Sequence, residues 1–110
     1  MSENNVFKKI RGLNRTLHEP SRLAIMTVLA SCESADFLFL RRITSMSKGN
    51  LSSHLSKLEK EKLVDIRKTY EGKKPLTIIS LTNNGKKAIK NHWDQLEELK
   101  KQSSDWKPEF

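Results

Sequence analysis

The stretch from Phe37 to Leu58 leaves this chain little choice of fold. Phe37, Leu40 and Ile43 recur at three-residue steps, which marks a helix of about two turns. Thr44, Ser45 and Met46 interrupt it with a turn. Ser47 then supplies an N-cap, because its hydroxyl can accept a bond from an otherwise unpaired amide of a new helix. Leu51, Leu55 and Leu58 follow at steps of four and three and define one apolar stripe over residues 48–60. Short helix, tight turn and capped longer helix make a helix-turn-helix unit. Two helices alone cannot cover both of their apolar stripes, so the flanking segments must supply the remaining layers.

Upstream, Val6, Phe7, Ile10, Leu13 and Leu17 predict an N-terminal helix over residues 5–17 with a single apolar stripe. Pro20 suits a first helical turn. From Arg22 to Ala30 the residues Leu23, Ile25, Met26, Val28 and Leu29 are apolar on most sides, as expected of a buried central helix. Ser31 to Asp36 is a polar connection with room for two or three extended residues. Downstream, Leu63, Val64, Ile66, Thr69 and Tyr70 form one β-favouring run and Leu76 to Leu81 another. Glu71-Gly72-Lys73-Lys74-Pro75 between them predicts the turn of a hairpin. Thr82 can cap a last helix over 83–101, in which Ile89, His92, Leu96 and Leu99 resemble a coiled-coil seam. Asn83, Asn84 and Gly85 predict an irregular start for it, and residues 102–110, with Pro108 and no period, a frayed tail. The fold class is therefore mainly α with a small β-hairpin, one domain over residues 1–110.

Charge then points to a partner. Lys and Arg number 21 against 13 Asp and Glu, a net charge of +8. Between Arg41 and Lys74 stand ten basic residues and four acids, so +6 of that +8 sits on the helix-turn-helix and hairpin. A charge excess serving solubility alone has no reason to gather there; a polyanion-binding face does. The longer helix adds to this. Off its leucine stripe it carries Lys48, Gly49, Asn50, Ser52, Ser53, Ser56 and Lys57, which are small, polar or basic and fit a major groove. A Ser-rich exposed helix is a poor choice on propensity alone. Asn can bond adenine bidentately, Lys can donate to guanine acceptors, and Ser can serve bases or phosphates. With Ser47 at the cap, and Arg67, Lys68, Lys73 and Lys74 on the hairpin to grip phosphates or enter the minor groove, these are the candidate DNA contacts.

Other chemistries lack their residues. Cys32 is the single cysteine, so neither an internal disulfide nor a thiolate cluster is available. His18, His54 and His92 lie far apart in sequence, and no metal site and no cofactor are expected. No phosphate loop or nucleophile–base pair is present, so no enzyme activity is expected. The first ten residues lack the apolar core of a signal peptide, and no apolar run approaches the roughly 20 residues of a membrane span; a cytoplasmic protein is expected. His54, at the edge of the leucine stripe, is expected to be structural, and Trp93 to pack or to contact a partner. Arg22 is left open between phosphate contact and pairing with an acid.

Together, His18-Glu19-Pro20-Ser21-Arg22-Leu23-Ala24-Ile25, Ser47-Lys48-Gly49-Asn50-Leu51-Ser52-Ser53-His54-Leu55 with Leu58-Glu59 and Leu63-Val64, and Lys73-Lys74-Pro75 through Leu81-Thr82-Asn83-Asn84-Gly85 resemble winged helix-turn-helix transcriptional regulators of the broad MarR/ArsR type. The resemblance spans about residues 17–90. It implies that 20–82 is the helix-turn-helix plus wing, with 48–58 the recognition helix and 71–75 the wing turn. It also implies a homodimer held by the terminal helices, through Val6, Phe7, Ile10 and Leu13 and through Ile89, His92, Trp93, Leu96 and Leu99. The function so implied is sequence-specific binding of double-stranded DNA in transcription regulation. The competing expectation is a winged-helix module for protein or RNA contact, since fold does not fix function. No effector is assigned.

Overall fold

Capping and periodicity place the elements of the structure, a computed structural model that describes residues 6–106. In chain order these are α1 (Val6–Arg11), α2 (Pro20–Ala30), β1 (Ala35–Asp36), α3 (Phe37–Thr44), α4 (Lys48–Lys60), β2 (Val64–Glu71), β3 (Lys74–Leu81) and α5 (Asn83–Ser103). The strands form one antiparallel sheet in the order β1-β3-β2. The fold is helix-dominated with a small sheet, as the sequence implies.

The helix-turn-helix unit stands as expected. Asp36 Oδ1 accepts from the Phe39 amide at 2.7 Å and opens α3. Ser45, with φ 58°, ends α3 in the left-handed region. Ser47 Oγ accepts from the Asn50 amide at 3.1 Å and opens α4. The other end of α4 is closed by a left-handed residue as well. Lys62 has φ 63°; its amide donates to Glu59 O at 2.9 Å and the Leu63 amide to Leu58 O at 3.0 Å. This Schellman pattern satisfies the last carbonyls of α4 and aims the chain into β2. Leu17, Ile25, Met26, Leu29, Leu40, Leu51, Leu55, Leu58, Val64, Ile79 and Ile89 form the core where α2, α4, α5 and the sheet meet. Each such side chain contributes about 1.5–3 kcal/mol of apolar burial.

Four boundaries differ from the sequence expectations. The helix expected over 5–17 stops at Arg11, and residue 5 lies outside the described residues. Gly12 ends it. The Asn14 carboxamide then accepts from the Thr16 and Leu17 amides at 2.9 and 3.1 Å, an Asx turn that competes with further helix. Leu13 and Leu17 are buried all the same, delivered by that turn and not by a helical stripe. The hairpin turn is shorter than Glu71–Pro75: Glu71 pairs with Lys74 and Tyr70 with Pro75, leaving Gly72 (φ 64°) and Lys73 as the loop. A two-residue loop with glycine at positive φ matches the twist of the strands. The start of α5 is regular, because Thr82 Oγ1 accepts from the Gly85 amide at 2.8 Å and offsets the poor helix formers. Finally, α5 runs on to Ser103, two residues beyond 101, and residues 107–110 of the expected tail lie outside the described part.

The molecule is elongated, 67 × 26 × 21 Å, with a radius of gyration of 17.3 Å. A compact chain of this length would have about 13 Å. Along α5 the buried residues are Gly85, Ile89 and His92, all in its first half. From Trp93 onward no residue of α5 is fully buried; Trp93 is exposed and Leu96 and Leu99 are half-buried.

The fold also joins two histidines that are 74 residues apart. His18 Nδ1 lies 3.5 Å from His92 Nε2, and His92 is fully buried. Burial first, and the neighbouring His18 second, hold the His92 imidazole below its ordinary pKa of 6.5. The folded state thus keeps His92 neutral, whereas the unfolded chain takes up the proton near 6.5. The contribution is full above that value and is lost as the pH falls through it toward the folded pKa. Melting temperature should therefore fall between about pH 7.5 and pH 5.5, and His92→Leu should flatten that slope. A wild-type melting point that is constant across this window would refute the assignment.

Candidate nucleic-acid interface

Along α4 the leucine stripe decides which residues remain for a partner. Leu51, Leu55 and Leu58 are buried, so Lys48, Gly49, Asn50, Ser52, Ser53, Ser56 and Lys57 are all exposed on the opposite side. The first turn presents amides and the positive end of the helix dipole together with Lys48. Gly49 is not required by the fold: a Cβ there would meet nothing within 4 Å. Glycine costs a helix about 1 kcal/mol relative to alanine, so what it leaves at this turn is room for close approach. Ser47 is exposed too, but its hydroxyl is committed to the cap.

The far end of α4 is tied to the protein. Lys57 Nζ lies 3.3 Å from Glu61, and the Thr16 hydroxyl donates to the same carboxylate at 2.7 and 2.8 Å. The Thr16 bond, with help from Lys57, holds the Glu61 carboxyl below its ordinary pKa. Lys57 is thus partly engaged, whereas Lys48 is free of any ion pair among the described residues. The middle of α4 is anchored by His54, whose Nδ1 lies 3.4 Å from Arg22 Nη1 and 4.0 Å from Glu19. Arg22 Nε donates to Thr16 O at 2.8 Å, and the Arg22 amide to Glu19 Oε1 at 2.8 Å. Arg22, left open between a phosphate contact and an acid pair, instead spends its guanidinium on the Thr16 carbonyl beside His54, and His54 has the structural setting expected of it. This cluster fixes how α4 stands on α2.

Strand alternation sorts the hairpin cations. Directly opposed residues share a face. Val64, Ile66, Ile79 and Leu81 mark the core-facing side, and Lys68 with its partner Thr77 continues it toward α4. A slot between α4 and the hairpin is lined by Lys48, Ser52, Leu55, Ser56 and the acidic Glu59 of α4, by Ile66, Lys68 and Thr77 of the hairpin, and by Phe37. Arg67 (opposite Ile78) and Lys74 (opposite Glu71) lie on the other face, and Lys73 is at the tip. The structure therefore brings Lys48, Ser52, Ser56 and Lys68 together and does not bring Arg67 to them. Thr77 and Tyr70, 70% exposed near the tip, are the surface residues that sequence reading passed over. Counting by twos from Val64 and Ile66 reaches Tyr70, and counting back by twos from Leu81 and Ile79 reaches Thr77.

The terminal helices are also sorted. Leu13, Ile89 and His92, expected in the seam, are instead buried within the chain's own fold; α5 spends its first turns on α2 and β3. Phe7 (68% exposed), Ile10 and Trp93 are exposed, and Val6, Leu96 and Leu99 are half-buried. Among the described residues no helix is long and apolar enough to cross a membrane.

Comparison with known proteins agrees with this geometry. A family model described as a winged helix DNA-binding domain matches residues 21–100. An uncharacterized protein of Methanocaldococcus jannaschii, MJ0432, is 34% identical over 80 residues, which are 73% of this chain and 87% of that protein. Among solved structures, a transcriptional regulator homologue from Pyrococcus horikoshii OT3 is similar with a TM-score of 0.80 and 28% identity, covering 87% of this chain and 94% of that one. NadR in complex with 4-hydroxyphenylacetate shares the fold with a TM-score of 0.68 at 21% identity, covering 91% of this chain and 70% of that one.

Proposed function

The chain belongs to the winged helix DNA-binding domain family, and on that premise we propose that it is a transcriptional regulator that reads double-stranded DNA as a homodimer. The first turn of α4 enters the major groove, where Lys48 and Asn50 meet base edges and Ser52, Ser53 and Ser56 meet bases or backbone. The hairpin, as the wing, rests on the backbone and the adjacent minor groove. The observation that carries this reading is the exposed, unobstructed face of α4, set in the segment that holds +6 of the net +8 charge. No catalysis enters the reading, and its place of action is the cytoplasm.

The test is titration of fluorescent duplex DNA from upstream of the protein's own coding sequence, beside a scrambled duplex, at several salt concentrations. A random-duplex selection follows where that site is not preferred. Specific binding should survive physiological salt, and the salt slope counts the phosphates neutralised. A selection that returns no site would transfer the basic face to a protein or RNA partner.

The dimer would form through Phe7 and Ile10 of α1 and the second half of α5, with Trp93, Leu96 and Leu99 as its apolar side. The exposed Phe7, Ile10 and Trp93, and a second half of α5 in which Leu96 and Leu99 are only half-buried, support this. Light scattering at tens of micromolar should give twice the chain mass, and Leu96→Asp with Leu99→Asp should give the monomer mass with helix content retained. A wild-type monomer at that concentration would refute the dimer.

A further inference from the structure

The pleat of the hairpin links its tip to the core. Val64 with Leu81 and Ile66 with Ile79 are opposed pairs whose side chains lie on the core side. The same face continues outward through Lys68 with Thr77 and then Tyr70 with Pro75. It is the face that walls the slot beside α4. Tyr70 stands one pair beyond that slot and 70% exposed, and among the described residues its hydroxyl has no hydrogen-bond partner. Among the described residues no hydrogen bond or ring contact holds this ring, and a strand tip gains nothing by exposing it to water.

We propose that Tyr70 is a DNA-contacting residue, placed to lay its ring along the deoxyribose wall of the minor groove next to the groove that α4 occupies. The slot then seats one phosphodiester strand between Ser52 and Ser56 on one side and Lys68 and Thr77 on the other. Tyr70 continues that path by one residue pair, its ring packing on sugar carbons and its hydroxyl reaching a phosphate or groove acceptor. Arg67, nearer in sequence to the slot than Tyr70 is, faces away and stays off the strand. The inference rests on the DNA reading above and adds to it which face of the wing meets the duplex.

The test uses the full chain and a duplex that it selects, with hydroxyl-radical cleavage to read sugar protection and dimethyl sulfate to read guanine N7 in the major groove. Tyr70→Ala should weaken binding about ten-fold, the effect of losing roughly 1.4 kcal/mol. It should also expose the flanking sugars while leaving the major-groove protection in place. Tyr70→Phe should keep the flanking protection with a smaller loss. Lys68→Ala should weaken binding more than Arg67→Ala. Wild-type affinity and an unchanged flank in Tyr70→Ala would overturn the proposal while leaving the α4 reading standing, as would a larger effect at Arg67 than at Lys68. A wild type that selects no duplex at all would remove both.

Discussion

Lys48→Ala combined with Asn50→Ala should abolish the preference for the selected duplex and leave the scrambled duplex bound nearly as before. Both side chains sit in the first turn of α4, both are exposed, and neither takes part in packing. The Asn50 backbone amide, which completes the Ser47 cap, survives the substitution. Each good base-edge contact is worth about 1–3 kcal/mol of discrimination. Losing both should cost about 100-fold or more in specific affinity, whereas exposed polar substitutions change stability by within roughly 0.5 kcal/mol. The pair of measurements is a titration on both duplexes and a thermal melt. Equal weakening on the two duplexes would mean that these residues meet only phosphate, and the recognition surface would have to be sought elsewhere.

The largest effect on stability is expected at a glycine where helix propensity predicts the opposite sign. Gly85 lies in the first turn of α5, where alanine should be preferred by about 1 kcal/mol. A Cβ at this position, however, would be driven into the backbone carbonyl of Leu63. That carbonyl cannot retreat freely, because it accepts the Thr82 amide at 3.1 Å, and the Thr82 hydroxyl donates to the neighbouring Lys62 carbonyl at 2.7 Å. The crossing of α5 over the end of α4 is closed by backbone on both sides. Gly85→Ala should cost about 3 kcal/mol, at the upper end of overpacking effects, and lower the melting temperature by roughly 15 °C. Gly49→Ala is the internal control: with nothing within 4 Å of its Cβ it should gain up to about 1 kcal/mol. If Gly85→Ala melted at or above the wild type, the close approach of α5 to Leu63 would be wrong.

These two sites show where local information is enough and where it fails. The cap at Ser47, the leucine stripe of α4, the β runs on either side of Gly72 and the cap at Thr82 are all short-range features. Each is set by hydrogen bonds or periodicities that span three or four residues, so they are legible in a single sequence, and so is the exposed face of α4 that remains once its stripe is buried. The N-terminal stripe departs from its expected helix for the same reason. Val6 to Leu17 has helical spacing, but Gly12 and the Asn14 side chain offer the backbone a competing turn, and Leu13 and Leu17 reach the core without a helix.

What depends on two distant segments meeting was decided by tertiary structure. Sequence supplied four hairpin cations with no means of ranking them. Pairing β2 with β3 and seating Val64 and Ile66 in the core assigns Lys68 and Tyr70 to the α4 side and Arg67 to the other, because a pleated strand has only two faces and the core takes one. Likewise, Ile89 and His92 share one spacing with Leu96 and Leu99, yet the packing of α5 on α2 and β3 leaves the first pair buried and the second only half-buried. Helix periodicity records that a stripe exists; only the extent of the neighbouring elements determines how much of it the fold covers.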